Sequence, residues 1–494
     1  MTTGEPAGPD PVPSLDGGGT HDAVPAPAVV PERPQRAKRR RKRRRIIGAL
    51  VVVLVVALAC GGLVVAQRIN RPLAQPTIPP GRSSFTVPGT APSPPWPATG
   101  QAAVEIPSLG YARQSGLEGP VPIASLAKMA TAVVILHDHP LAAGADGPPI
   151  TVTADEANQF DVDLQNDETN VPLQAGETLT ELQLLEALMV GSANDAAYTL
   201  AVWDAGSVPA FVAKMNALAS SLRADQTHYT DPSGFDPGSV STAADSLRIA
   251  SAGMALPAFA SVVAMAAVSL PLAGVVQNIV KLIGTDGIVG VKSGYTSQSG
   301  GCMVLASYRV VQGHSVLVLA AALAQLEPRP PAPSPPTTAS GGGPAVAPPT
   351  TTTTTTTAPA ATTTTTTAAP YSPIEAEYPL LYTGPIVERL LDVSASAVVP
   401  VPAVAQGSVV RMAGADWGGV RHEVPAVATR SAWLLGVPGQ RVAVTTPPSP
   451  PPVDGPPSMA GTVRFTLGQQ TETVPLRLLH RLPEPTWWWK VLHN

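Results

Sequence analysis

The longest apolar run in the chain, residues 46–66, carries no charge and is rich in Val, Leu and Ala. At about 1.5 Å per residue, a helix over these positions reaches roughly 31 Å, enough to cross a bilayer's hydrocarbon core. The run therefore predicts a single transmembrane helix. Val64-Val-Ala66 resembles a signal cleavage site, but the run is longer than a usual signal core, so it reads as an uncleaved anchor. Farther along, helix-spaced apolar positions fall at 125–137, 180–205, 208–223 and 243–254. The 180–205 run opens on Thr180-Glu-Leu-Gln-Leu-Leu-Glu-Ala-Leu, with Thr178 or Thr180 as N-cap candidate. Short β-prone runs at 301–307 and 315–322 flank Gln312-Gly313 and predict an antiparallel hairpin. Five more short strands are predicted at 399–404, 408–412, 441–445, 461–467 and 471–478.

Composition shifts divide the chain between these runs. Residues 1–45 form a cytoplasmic tail without periodicity, ending in a basic run, and are expected to be disordered. Residues 67–97 are Pro-rich and read as a stalk. Residues 98–327 read as globular. Residues 328–370 are Pro, Gly and Thr of low complexity and read as a linker, with a reach on the order of 130 Å if fully polyproline-like. In an exported protein it is a candidate for O-glycosylation. Residues 371–494 read as a small accessory β-rich domain, with the proline run 447–457 as a loop. Trp487-Trp488-Trp489-Lys490, near its end, reads as a core patch or, alternatively, as a membrane-interface contact.

Charge settles the orientation of the anchor. Residues 1–45 hold ten Lys or Arg against five acids, and every position from 38 to 45 is basic. The rest of the chain holds 21 bases against 30 acids, which argues against a nucleic-acid partner. Under the positive-inside rule the N-terminus is cytoplasmic and everything after residue 67 lies outside. The two cysteines, Cys60 in the apolar run and Cys302 far beyond it, predict no intramolecular disulfide.

Three short motifs carry candidate chemistry: Ser125-Leu-Ala-Lys128, Ser192-Ala-Asn194 and Lys292-Ser-Gly294. At i and i+3 on a helix, Ser125 and Lys128 share a face, so the amine can reach the hydroxyl. Such a lysine replaces histidine as base if burial lowers its pKa, and Ile123, Leu126, Met129, Val133 and Val134 make its surroundings apolar. Ser192 could relay a proton, and the Asn194 amide could hold both Lys128 and a substrate carbonyl. Lys292 and Ser293 on an edge strand could bind a carboxylate, with Gly294 admitting a ligand backbone. Each motif alone has a bland reading as a solvated face or a helix cap. In this order within one globular segment they point to an acylating serine. No Gly-x-Ser-x-Gly, His-Glu-x-x-His, phosphate-binding loop or Cys-x-x-Cys competes with them, and no metal or cofactor is expected.

At these motifs the chain resembles the serine-type D-Ala-D-Ala carboxypeptidases among the low-molecular-mass penicillin-binding proteins. Ile123-Ala-Ser-Leu-Ala-Lys-Met-Ala-Thr-Ala132, Gly191-Ser-Ala-Asn-Asp-Ala-Ala197, Thr230-Asp-Pro-Ser-Gly234 and Ile288-Val-Gly-Val-Lys-Ser-Gly-Tyr-Thr296 carry the resemblance over roughly 120–325. It implies an α+β, β-lactamase/transpeptidase-like domain, with helices on an antiparallel sheet, acting on peptidoglycan stem peptides and inhibited by β-lactams. It implies Ser125 as nucleophile, Lys128 as base, Ser192 and Asn194 as proton shuttle and orienting amide, and Lys292 and Ser293 on the terminal carboxylate. The backbone N–H groups of Ser125 and Tyr295 would form the oxyanion hole. Ser293 departs from the family's usual Thr, and residues 101–119 match poorly.

Related reactions share these motifs. A glutamate-dependent serine β-lactamase also needs a Glu to activate its deacylating water. The chain has none between Glu186 and Glu327, which removes the base expected there. A D,D-endopeptidase or transpeptidase would share every one of these residues. A non-catalytic cell-wall-binding module could also be built on this fold, though intact Ser125, Lys128, Ser192, Asn194 and Lys292 argue against it.

Overall fold

The computed structural model describes residues 35–70, 81–116, 119–142, 144–158, 168–326, 374–417, 420–447, 459–482 and 485–493. Residues 1–34 of the expected tail, the whole linker 328–370 and most of the proline run 447–457 lie outside them.

Two compact units form. In one, the apolar run lies within helix α1 (Gln35–Ile69), apolar enough over Arg40–Ile69 to span a membrane, with a mean hydropathy of 3.0 in its most apolar window. A C-terminal helix, Trp487–His493, belongs to the same unit. The Arg68 guanidinium donates to the Val491 carbonyl at 2.9 Å. The Trp487 and Trp488 rings stack 4.0 Å apart and are more than half exposed, so these two do not form the core patch expected of them.

The other unit begins with a short strand, β1 (Ser84–Thr86), inside the stretch expected to be stalk. Next come β2 (Gln101–Ile106) and β3 (Tyr111–Gln114), in the segment where the resemblance is poor. Then come helices α2 (Ala127–Asp138), α3 (Glu181–Met189), α4 (Asn194–Ala205), α5 (Val208–Ser221), α6 (Ala243–Met254) and α7 (Pro257–Val263). Thr180, not Thr178, caps α3. Its hydroxyl accepts from the Gln183 amide while the Gln183 side chain accepts from the Thr180 amide. The expected 180–205 helix is broken at 190–193, between α3 and α4.

Strands β4 (Ile288–Thr296), β5 (Gly300–Val311) and β6 (His314–Gln325) complete an antiparallel sheet in the order β4-β5-β6-β2-β3. The expected hairpin joins β5 to β6, with Gln312 and Gly313 both at positive φ, the turn that suits the twist of paired strands. Alternate residues face opposite ways. Ala103, Val304, Ala306, Leu319 and Ala321 pack with residues of α2–α7. Val104, Ile106, Leu305, Val318 and Ala320 pack with Val387, Leu390 and Leu391.

Those last three residues lie on α8 (Ile374–Ser396), where a β domain was expected to start. This helix covers the outer face of the sheet, so the layer that closes the 98–327 segment comes from beyond the linker. Arg309 on β5 adds an ion pair with Asp392 on α8 at 2.7 Å.

The chain then forms β7 (Val399–Val404), β8 (Val409–Trp417), β9 (Val420–Ala428), β10 (Ala432–Gly436), β11 (Arg441–Thr445), β12 (Met459–Leu467) and β13 (Gln470–Leu478). A six-stranded antiparallel sheet runs β1-β11-β12-β13-β9-β8, and β7 pairs with β10. Strand β1 lies against β11, with Phe85 opposite Val442. Gln440 donates to the Leu109 carbonyl at 2.9 Å, and the Gln469 amide to that of Ser108 at 3.0 Å. Gly468 permits this approach: a Cβ there would lie 2.2 Å from the Leu109 carbonyl carbon.

Candidate active site

Helix α2 runs through the middle of the unit, with Ala127, Met129, Ala130, Ala132, Val133 and Val134 all buried, as a helix apolar on every side requires. A single 3-10 turn, Ala124–Leu126, feeds it and carries Ser125. Lys128, in the first turn of α2, is fully buried with its Nζ 2.9 Å from Ser125 Oγ. Nζ also donates to Asn194 Oδ1 at 2.5 Å and to the Ser233 carbonyl at 3.0 Å. A neutral lysine has two N–H donors and one lone pair. Once deprotonated, with N–H groups directed at Asn194 and Ser233, the amine can turn its lone pair to the Ser125 hydroxyl.

The break between α3 and α4 positions the second motif. Ser192 has φ +58, a left-handed conformation costly for a residue with a Cβ and found where surrounding structure enforces it. Its Oγ receives a hydrogen bond from Lys292 Nζ at 2.8 Å. Asn194 opens α4 and turns its amide to Lys128. Ser125–Lys128–Asn194 and Ser192–Lys292 are thus tied through one three-residue stretch.

The third motif lies on β4, the edge strand expected for it. Lys292 is fully buried and donates also to the Ser293 carbonyl at 2.9 Å. Burial, and then the neighbouring Lys128, hold its amine well below the usual lysine range. Ser293 Oγ is buried and has no hydrogen-bond partner among the described residues. A Cβ on Gly294 would stand 2.7 Å from the Ser125 amide nitrogen and 3.0 Å from the Ala124 Cβ. Glycine there lets the strand close on the serine turn, so its first effect is on protein-to-protein approach. The two amides expected to form an oxyanion hole, those of Ser125 and Tyr295, lie on the segments that meet at this contact. Tyr295 itself is exposed at the rim.

All eight expected residues therefore fall in one region, and the structure adds others. Asp231 accepts from the amides of Ser233, Gly234 and Phe235 and from the hydroxyls of Ser233 and Ser239. This locks the loop whose carbonyl holds Lys128. Thr131, one turn along α2, donates to the Pro232 carbonyl at 2.6 Å. The run Thr230-Asp-Pro-Ser-Gly234 is plain in the sequence, but its bond to Lys128 uses a backbone carbonyl, which no side-chain pattern announces. Glu168 is the second addition. It precedes the second motif, outside the 186–327 interval that bears on the lactamase reading, and its Oε2 accepts from Asn194 Nδ2 at 2.5 Å.

A serine beside a buried lysine, set between helices and the edge of an antiparallel sheet, is a fold and site of the penicillin-binding type. Residues 113–321 match the model of the D-alanyl-D-alanine carboxypeptidase family. Among its relatives is D-alanyl-D-alanine carboxypeptidase DacB2 of Mycobacterium tuberculosis, 39% identical over 183 residues, covering 36% of this chain and 58% of that protein. Another is the D-alanyl-D-alanine carboxypeptidase of Streptomyces sp. strain K15, 33% identical over 161 residues, covering 28% and 55%. The crystal structure of the Streptomyces K15 DD-transpeptidase matches at 25% identity and a TM-score of 0.41, covering 48% of this chain and 92% of that one. The chain spans somewhat over half the length of these two curated relatives.

Proposed function

We propose that this chain is a membrane-anchored D-alanyl-D-alanine carboxypeptidase that removes the terminal D-Ala from peptidoglycan stem peptides and is inhibited by penicillins. The observation that carries this reading is the coordination of Lys128: buried, 2.9 Å from Ser125 Oγ, with its other donors engaged. Lys128 takes the Ser125 proton as Oγ attacks the carbonyl of the penultimate D-Ala. The amides of Ser125 and Tyr295 stabilise the oxyanion. The departing D-Ala amine receives a proton through Ser192, itself held by Lys292. The unpartnered Ser293 hydroxyl and the Lys292 amine receive the substrate's terminal carboxylate. Water then takes the acyl group from Ser125. The basic residues before the apolar run put the N-terminus in the cytoplasm and the catalytic unit outside.

The test is intact-mass and peptide-mapping spectrometry of the full chain after incubation with penicillin, beside D-Ala release from a pentapeptide. A long-lived adduct on Ser125, absent in Ser125→Ala, supports the reading. Loss of D-Ala release in that variant by a factor on the order of a thousand or more is expected. Unchanged release from Ser125→Ala would falsify it. Rapid penicillin turnover without an adduct would make the protein a β-lactamase.

A further inference from the structure

The Asn194 amide has one acceptor and two donors, and the site uses them with a definite polarity. Oδ1 faces Lys128 Nζ, and Nδ2 donates to Glu168 Oε2. If the amide turned over, a donor would face an amine and a carbonyl oxygen would face a carboxylate, and both contacts would be repulsive. Glu168 is 8% exposed, so water does not readily substitute for it. Its segment is also held in place. The Asn194 amide nitrogen donates to the Thr169 carbonyl at 2.8 Å, the Asp195 amide nitrogen to Asn170 Oδ1 at 3.1 Å, and the Val171 amide nitrogen to Asp195 Oδ1 at 3.3 Å. Residues 168–171 are thereby fastened to the first turn of α4.

We infer that Glu168 is a positioning residue that acts through Asn194. It fixes the amide so that Oδ1 stays on Lys128, and it sets a negative charge one amide away from the base. This rests on the function proposed above and adds a residue that the three motifs do not contain. Among the described residues, the charged groups on segments joined to this network are Lys292 on β4, Asp231 in the 230–235 loop, Asp195 beside Asn194 on α4, and Glu168. Asp231 spends its oxygens on its own loop, and the Asp195 Oδ1 accepts from Val171 and Ala196. Glu168 is the carboxylate bonded to the same amide as the lysine. Its charge favours the protonated lysine, so its removal lets Lys128 give up its proton at lower pH.

The experiment compares the full chain with Glu168→Gln, Glu168→Asp and Glu168→Ala. It follows the second-order rate of Ser125 acylation by a fluorescent penicillin from pH 4 to 10, and D-Ala release alongside. Glu168→Gln keeps an acceptor for Asn194 but loses the charge. Its acid limb should move to lower pH by roughly one unit, with little loss at the plateau. Glu168→Ala loses both, and its plateau acylation rate should fall by roughly tenfold to a hundredfold, with partial recovery in Glu168→Asp. A purely structural role would lower the plateau without moving the limb. An unshifted limb in Glu168→Gln, or a parental rate in Glu168→Ala, overturns the inference while leaving the proposed function intact. So does normal acylation with an acyl-enzyme that no longer turns over, which would make Glu168 a deacylation base. Absence of Ser125 labelling in the parent would remove the function and this inference together. Glu168→Gln is close to isosteric, so the pH limb stays readable if Glu168→Ala fails to fold.

Discussion

At the scale of single residues, a costly side chain away from the site is Glu181, at the start of α3. It is 1% exposed, and neither carboxylate oxygen has a hydrogen-bond partner among the described residues. Burial pushes its carboxyl up to about 7. Because the folded value lies above the unfolded one, ionisation opposes folding. The cost is absent below about pH 4.5, grows as pH rises toward 7 and is complete above it. Glu181→Gln should therefore be more stable than the parent at pH 8, by up to about 3 kcal/mol, with the difference vanishing toward pH 4.5. Thermal unfolding of both proteins at pH 5 and pH 8 checks this; an equal difference at both would refute the assignment. The same scale shows what the amino-acid order reveals of the site. Ser125, Lys128, Ser192, Asn194 and Lys292 stand in short patterns because their contacts follow from helix spacing and strand position. Glu168 and the Ser233 carbonyl carry no such pattern, because each contributes one atom across a tertiary contact.

At the scale of elements, α8 changes the meaning of the long low-complexity segment before it. Pro379, Gly384 and Pro385 lie within the helix, and such residues argue against helix in any local reading. Packing against the sheet outweighs them. Strands β9 and β10 lack a clear local signal as well; Pro425 interrupts the run that forms β9. By contrast, the hairpin β5–β6 and strand β11 are legible, since short β-prone apolar runs and a turn dipeptide are local signals. Burying Val387, Leu390 and Leu391 contributes on the order of 5–9 kcal/mol, comparable to the whole stability of a typical domain. A fragment confined to residues 98–327 leaves Val104, Ile106, Leu305 and Val318 uncovered. It should express as an aggregate or a molten species without cooperative unfolding, whereas extending it through Ser396 should restore a sharp transition. A sharp transition in the shorter fragment would show that α8 is dispensable.

At the scale of the whole molecule, the connections run opposite to the order of the chain. Strand β1, from before the catalytic segment, completes the sheet of the accessory region. Helix α8, from after the linker, completes the catalytic segment. Leu435 and Val437 join the same core as Val104 and Ile106. The two regions are therefore interlaced, and the linker is one of several ties between them. Its covalent continuity matters little once folding is complete. If a protease site were placed in Gly341–Gly343 and cut in the native protein, a denaturing gel should show two pieces, while gel filtration should return a single species that still binds penicillin. The segment whose composition most invites proteolysis is thus one whose covalent loss leaves the fold assembled, so a nicked chain should persist as a non-covalent pair of pieces.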